Sequence, residues 1–214
     1  MAYPTVEAPY GLRPVNLIGG RVFAGSTRQI PIASGYATSI FNGDVVKLVS
    51  DGTLEKDTGT TTATPVGVFV GCRYTDPNLG YELYSQYYPS GTVASDIVAY
   101  VVDDPDALFK VAVVSGTDVI AGYGRTIVGN NVPLVQNAGD ANTGNSGVAV
   151  NGGSAATTAS LPLRIVDVVP ETENADGYTE VIVKWNEPYI TLAEGTPNTV
   201  TWAGGHQYRN PTGV

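Results

Sequence analysis

Cysteine and histidine are nearly missing from this sequence: Cys72 and His206 are the single representatives of each in 214 residues. One cysteine excludes an intramolecular disulfide, and a lone His far along the chain from a lone Cys leaves no zinc-type ligand set. A Ser-His-Asp arrangement has no credible source either, because the one histidine sits in the C-terminal tail. Cys72 closes the apolar run 66–72 (VGVFVGC), so a buried, inert thiol is expected there.

Charge is scarce as well. Only 14% of residues are charged, with 20 acidic against 11 basic, for a net charge of −9. The basic residues are scattered singly, without aromatic interleaving, so counterion release has no evident source and no contact with DNA or RNA is expected. Long apolar runs are absent too. None approaches the roughly 20 residues that span a bilayer, and no basic start followed by an apolar run opens the chain. Neither a membrane anchor nor a signal peptide is expected, and the chain should remain in the cytoplasm where it is made unless carried out as part of a particle.

What is present is a loop-rich, folded composition: 43% hydrophobic residues, 26 Gly and 14 Pro spread along the chain, and 13 Tyr. The apolar runs are short, Val-rich and separated by turn residues, which predicts an all-β fold, a sandwich or barrel-like core. The chain divides into an extended N-terminal arm (1–14), a β core (15–186) and an extended C-terminal arm (187–214). In the core, 96–116 reads as strand, tight turn, strand, with Asp103-Asp104-Pro105-Asp106 as the turn. Gly19-Gly20 suits a two-residue hairpin turn between 15–18 and 22–23. Further strands are expected near 27–32, 40–49, 132–135, 148–150, 161–169 and 178–185. The glycine-rich stretch 137–160 lacks the Gly-Lys-Ser/Thr ending of a phosphate loop.

Three groups of residues carry the functional reading. Tyr3, Tyr10 and Arg13 lie on or at the end of the proline-punctuated N-terminal arm, which has apolar side chains and little bulk to cover them; docking on a neighbour is the expectation. Tyr84, Tyr87 and Tyr88 belong to five tyrosines within 74–88, a cluster that suits a protein interface, a sugar site or a lid over the core. Trp202 and Tyr208 are the anchors of the C-terminal arm, either in a neighbour's pocket or on their own domain. The acidic group Asp103, Asp104 and Asp106 lacks the Gly and terminal Glu of a calcium loop, and turn geometry explains it. No catalytic residue, cofactor or metal is assigned.

Taken in order, Ala8-Pro9-Tyr10-Gly11-Leu12-Arg13-Pro14-Val15, Phe41-Asn42-Gly43-Asp44-Val45-Val46-Lys47-Leu48, the run 65–72, Ala99 through Phe109 and Gly144-Asn145-Ser146-Gly147 resemble the head decoration, or cement, proteins of tailed bacteriophages, particularly marine and cyanobacterial podovirus-like ones. The resemblance covers about residues 7–186. It implies a non-enzymatic virion protein on the capsid exterior, a homotrimer whose partners are the major capsid protein and itself, with no nucleic acid and no membrane. A carbohydrate-binding β module using the tyrosines of 74–88 is the competing expectation.

Overall fold

The computed structural model describes residues 8–117, 119–173, 177–187, 189–192 and 200–211, with the backbone alone for 189–192 and 200–203. In chain order its strands are β1 (Arg13–Leu17), β2 (Arg28–Pro31), β3 (Val45–Leu48), β4 (Leu54–Lys56), β5 (Gly67–Thr75), β6 (Glu82–Ser85), β7 (Val98–Val102), β8 (Ala107–Ser115), β9 (Val119–Ile120), β10 (Asn131–Val132), β11 (Leu134–Val135), β12 (Ala149–Asn151), β13 (Leu163–Val168), β14 (Glu180–Trp185), β15 (Tyr189–Leu192) and β16 (Val200–Ala203). Among the described residues the only helices are single 3-10 turns, so the fold is all-β as expected, and no helix is long and apolar enough to cross a membrane.

The larger sheet runs β10-β13-β14-β8-β12-β11, with β1 and β9 also paired to β8. Its two end strands are separated by Pro133 alone, so the sheet curls until its edges are chain neighbours and a barrel is nearly closed. Pro133 has no N–H to give either ladder, which lets the chain leave β13 and join β12 within one residue. Strand β8 is buried on both faces. Ala107, Phe109, Val111 and Val113 enter the main core with Val183 and Trp185, while Ala112 and Val114 pack outward with Ala149 and Tyr178. That double burial is why 111–114 (VAVV) reads as a continuous apolar run instead of an alternation.

The smaller sheet runs β2-β7-β5-β3-β4, with β6 on the outer side of β5. Val45, Val68 and Val102 join the main core, so the two sheets share it. The other face buries Phe69, Cys72, Tyr74, Ala99 and Val101 under loop residues that include Ile40 and Tyr88.

The strands expected around the acidic turn form, but they do not form a hairpin. β7 pairs with β2 and β5, whereas β8 pairs with β14, β1, β12 and β9, so Asp103–Asp106 carries the chain from one sheet to the other. The turn closes locally through Asp106 N–H to Asp104 Oδ1 (2.8 Å) and Ala107 N–H to the Asp104 carbonyl (3.1 Å). A two-residue primed turn twists its flanking strands into one ladder; an Asp-Pro turn imposes no such twist, and strand partners are left to the rest of the fold. Gly19-Gly20 likewise lies in the 3-10 turn Ile18–Gly20, with a single bridge between Asn16 and Val22, because β1 gives its ladder to β8. At the C-terminal end, β15 and β16 pair with one another, so the segment read as an extended arm contains a two-stranded ladder.

Candidate functional site

The N-terminal segment enters the fold between the two sheets. Gly11 donates its N–H to the Val148 carbonyl (3.1 Å) and Leu12 donates to the Gly43 carbonyl (2.9 Å). The backbones touch here: a Cβ on Gly11 would stand 2.7 Å from Gly43 O, and both glycines have left-handed φ, +80° and +98°. Arg13 then pins the segment, donating to Asn42 Oδ1 and, at 2.6 Å, to Asn145 Oδ1. Asn42 reaches the Val70 carbonyl at 3.0 Å and Gln86 reaches Asn145 at 2.9 Å, so one polar knot ties β1, β5 and the end of β6. Beneath it Asp44, fully buried, accepts from Ser146 Oγ (2.6 Å) and Phe41 N–H (2.8 Å) and pairs with Lys56 (2.9 Å). Tyr10 donates its hydroxyl to Glu180, with Lys110 over its ring at 5.6 Å; burial, then that carboxylate, hold the phenol protonated. A cavity of about 400 Å³ opens beside Tyr10, Asn137, Asp140 and Thr143.

The C-terminal segment packs against β3 and the acidic turn. Gln207 accepts from the Leu48 N–H (2.8 Å), donates to the Leu48 carbonyl (3.0 Å) and gives its own N–H to the Pro65 carbonyl (2.8 Å). Tyr208 donates to Asp103 (2.9 Å) beneath the Arg28 guanidinium, and Arg209 pairs with Asp106 and Glu187. The acidic turn is therefore a grip for the tail: Asp103 also holds Arg28 (2.6 Å) and Asp106 holds Arg21 (3.3 Å). Partial burial and then the Asp103 carboxylate push the Tyr208 phenol up to about 12. His206 is 1% exposed, its Nδ1 accepting from the Tyr208 N–H and its ring against Trp185 and Tyr208. Burial pushes its imidazole down to about 4; Arg209 adds to the shift, while the Val66 main chain, Asp103 and Asp104 oppose it. Among the described residues, Nε2 has no well-formed hydrogen bond despite the nearness of Val66, and the Trp185 indole N–H has none either.

The tyrosine cluster is divided by the fold. Tyr74 and Tyr88 are core residues, Tyr88 donating to the Tyr36 carbonyl at 3.1 Å, and Tyr87 stacks on Phe41 with ring centroids 5.3 Å apart. Tyr81 and Tyr84 are left exposed, Tyr84 by 70%. Tyr84 stands in register with Arg73, which pairs with Glu82 at 2.7 Å. The expected platform of five tyrosines is thus three packed side chains and two free ones.

Of the residues singled out from sequence, Tyr10 and Arg13 meet at the entry knot and Tyr208 lies on its own domain. Tyr3 lies outside the described residues, as does the side chain of Trp202. Cys72 is buried, and burial pushes its thiol up to about 12. Among the described residues no group of three His, Cys, Asp or Glu could hold a metal ion. Sequence reasoning missed Asp44, Gln207, Arg209 and the Arg73 row. Asn42 beside Gly43 was a signal for a turn, but nothing local marks a glutamine that closes a strand edge 159 residues away. No family model, curated protein or solved structure matches the chain.

Proposed function

We propose that the chain is a non-enzymatic structural protein of a bacteriophage particle that binds the outer face of an icosahedral capsid, clamps neighbouring major capsid subunits and stabilises the expanded head as a homotrimer. The ordered motif resemblance supports this reading, and one structural observation carries it. Directly after the pinned segment 8–13, Val15, Ile18 and Val22 stand 41%, 37% and 78% exposed on β1 and the turn that follows it. Ile18 N–H bonds to the Asp106 carbonyl (2.9 Å) and Arg21 pairs with the same residue, so this apolar tip is held rigidly on a body with few charges. A rigid apolar tip beside the entry of the N-terminal segment is the kind of surface that a clamp presses on a neighbour, and a protein bound only to assembled shells stabilises them by mass action over many copies.

The test is sedimentation with expanded capsids, preceded by light scattering on the purified chain. A mass of about three times 22.3 kDa and co-sedimentation that is lost on Val15→Ser/Ile18→Ser/Val22→Ser are expected. A folded chain that fails to sediment with capsids overturns the reading.

A further inference from the structure

One part of the molecule serves neither the entry knot nor the tail lock. The strand register places Tyr84 of β6, Arg73 of β5, Val98 of β7 and Pro31 of β2 in one cross-strand row, and Gly71, Tyr100 and Gln29 in the next. Directly paired residues and residues two apart share a face, so both rows lie on the same side of the smaller sheet. It is the side away from Cys72, Tyr74, Ala99 and Val101, at the end beyond Val68 and Val102, which the main core covers. Tyr84 and Gln29 are exposed, and Arg73, Val98 and Tyr100 are half-buried.

The row has a specific composition. The register sets Arg73 on the strand between those of Tyr84, its direct partner, and Tyr100, its diagonal neighbour across β7. Glu82 fixes the guanidinium at 2.7 Å and cancels its charge. Gly71 contributes no side chain beside Tyr100, which leaves a bare floor between the rings; a Cβ there would come within 3.1 Å of Ser85 O. Among the described residues neither Tyr84 nor Tyr100 makes a hydrogen bond, whereas Tyr10, Tyr36, Tyr88 and Tyr208 all do. Two strand spacings and two residue rises put the Tyr84 and Tyr100 Cα atoms roughly 12 Å apart.

We propose that this face binds an extended, uncharged oligosaccharide, Tyr84 and Tyr100 stacking on two of its rings and the Arg73–Glu82 pair meeting the hydroxyls between them. Sugar rings present flat C–H faces to aromatics and vicinal hydroxyls that both donate and accept, which matches a guanidinium beside a carboxylate. The Asp96 carboxylate, held by Thr75 at 2.7 Å on the same face, adds an acidic group beside the Arg73–Glu82 pair, so a single long ligand with alternating apolar and hydroxylated surface fits the face better than a phosphorylated one. This assignment is independent of the capsid reading, since it needs no shell.

The experiment is titration of the isolated chain, without capsids, with cellohexaose, chitohexaose and maltohexaose, followed by amide chemical shifts and calorimetry. Saturable millimolar or tighter binding of at least one hexaose is expected, with shifts confined to 71–75, 82–86 and 98–100. Tyr84→Ala and Tyr100→Ala should each weaken it about tenfold, and Tyr84→Phe should retain it. Tyr84 is exposed, so its substitution leaves the fold intact. No saturable binding by any of the three, shifts elsewhere, or unchanged affinity in both alanine variants overturns the proposal. Loss of capsid sedimentation in Tyr84→Ala, without any sugar binding by the parent chain, makes the face a protein interface instead.

Discussion

Gln207 forms a complete bridge to Leu48 with its side chain, accepting from the Leu48 N–H at 2.8 Å and donating to the Leu48 carbonyl at 3.0 Å. β5 pairs with β3 only at Val45 and Val46, so further along β3 the amide stands where a neighbouring strand would be. It closes an open sheet edge. Removing it in Gln207→Ala leaves two main-chain groups without partners, and an expected loss of about 1–3 kcal/mol in urea unfolding checks the lock. An unchanged midpoint would mean that the tail contributes nothing to β3.

His206 supplies a pH test with a defined sign. Its imidazole is pushed from 6.5 to about 4 in the folded chain, so on acidification the unfolded chain takes up the proton first. Stability from this group is full above pH 6.5, falls as pH drops from about 6.5 to about 4 and is level below that, a total of about 3 kcal/mol. As the chain's single histidine, its ring proton titration is directly readable by NMR. A midpoint near 6.5 in the native protein would contradict the burial, and His206→Phe should flatten the stability profile over this window.

Asp44 and Lys56 form an ion pair at 2.9 Å in which the carboxylate is fully buried and the lysine side chain 11% exposed. Asp44→Asn leaves the ammonium without its counter-charge, and about 3–5 kcal/mol of destabilisation is expected by chemical denaturation. Asp44→Asn/Lys56→Met should recover part of it; equal loss in the single and double variants would place the effect in the Ser146 and Phe41 hydrogen bonds instead.

Gly11 and Gly20 separate two costs of glycine replacement. Both have positive φ, +80° and +78°, but a Cβ on Gly20 meets nothing within 4 Å while one on Gly11 meets Gly43 O and Ser146 Cβ at 2.7 Å. Gly20→Ala should cost about 1–2 kcal/mol from backbone strain alone. Gly11→Ala should cost distinctly more, because backbone atoms cannot yield. Equal melting temperatures would remove close packing as the reason for Gly11.

Cys72 should resist thiol reagents at pH 8 in the native chain and react at once in urea, since burial pushes its thiol to about 12. Rapid native labelling would show that β5 opens locally.

The sequence by itself determined the all-β class and the approximate position of most core strands, because short Val-rich runs between turn residues have few other ways to bury themselves. It also foretold the burial of Cys72, a small apolar side chain at the end of such a run. Strand partnership was decided by tertiary structure alone. The 111–114 half of β8 is buried on both faces, so it carries no alternation to say which sheet it joins, and the Asp-Pro turn before the strand permits either answer. The same holds for the polar locks. Gln207 to Leu48 and Arg13 to Asn145 join residues 159 and 132 positions apart. A lone Gln or Arg in sequence is indistinguishable from a solvated one until the backbone group that it satisfies is brought beside it. The tyrosines make the point within one stretch: Tyr84 and Tyr88 are four residues apart, yet one is 70% exposed and the other fully buried, because the chain turns after β6.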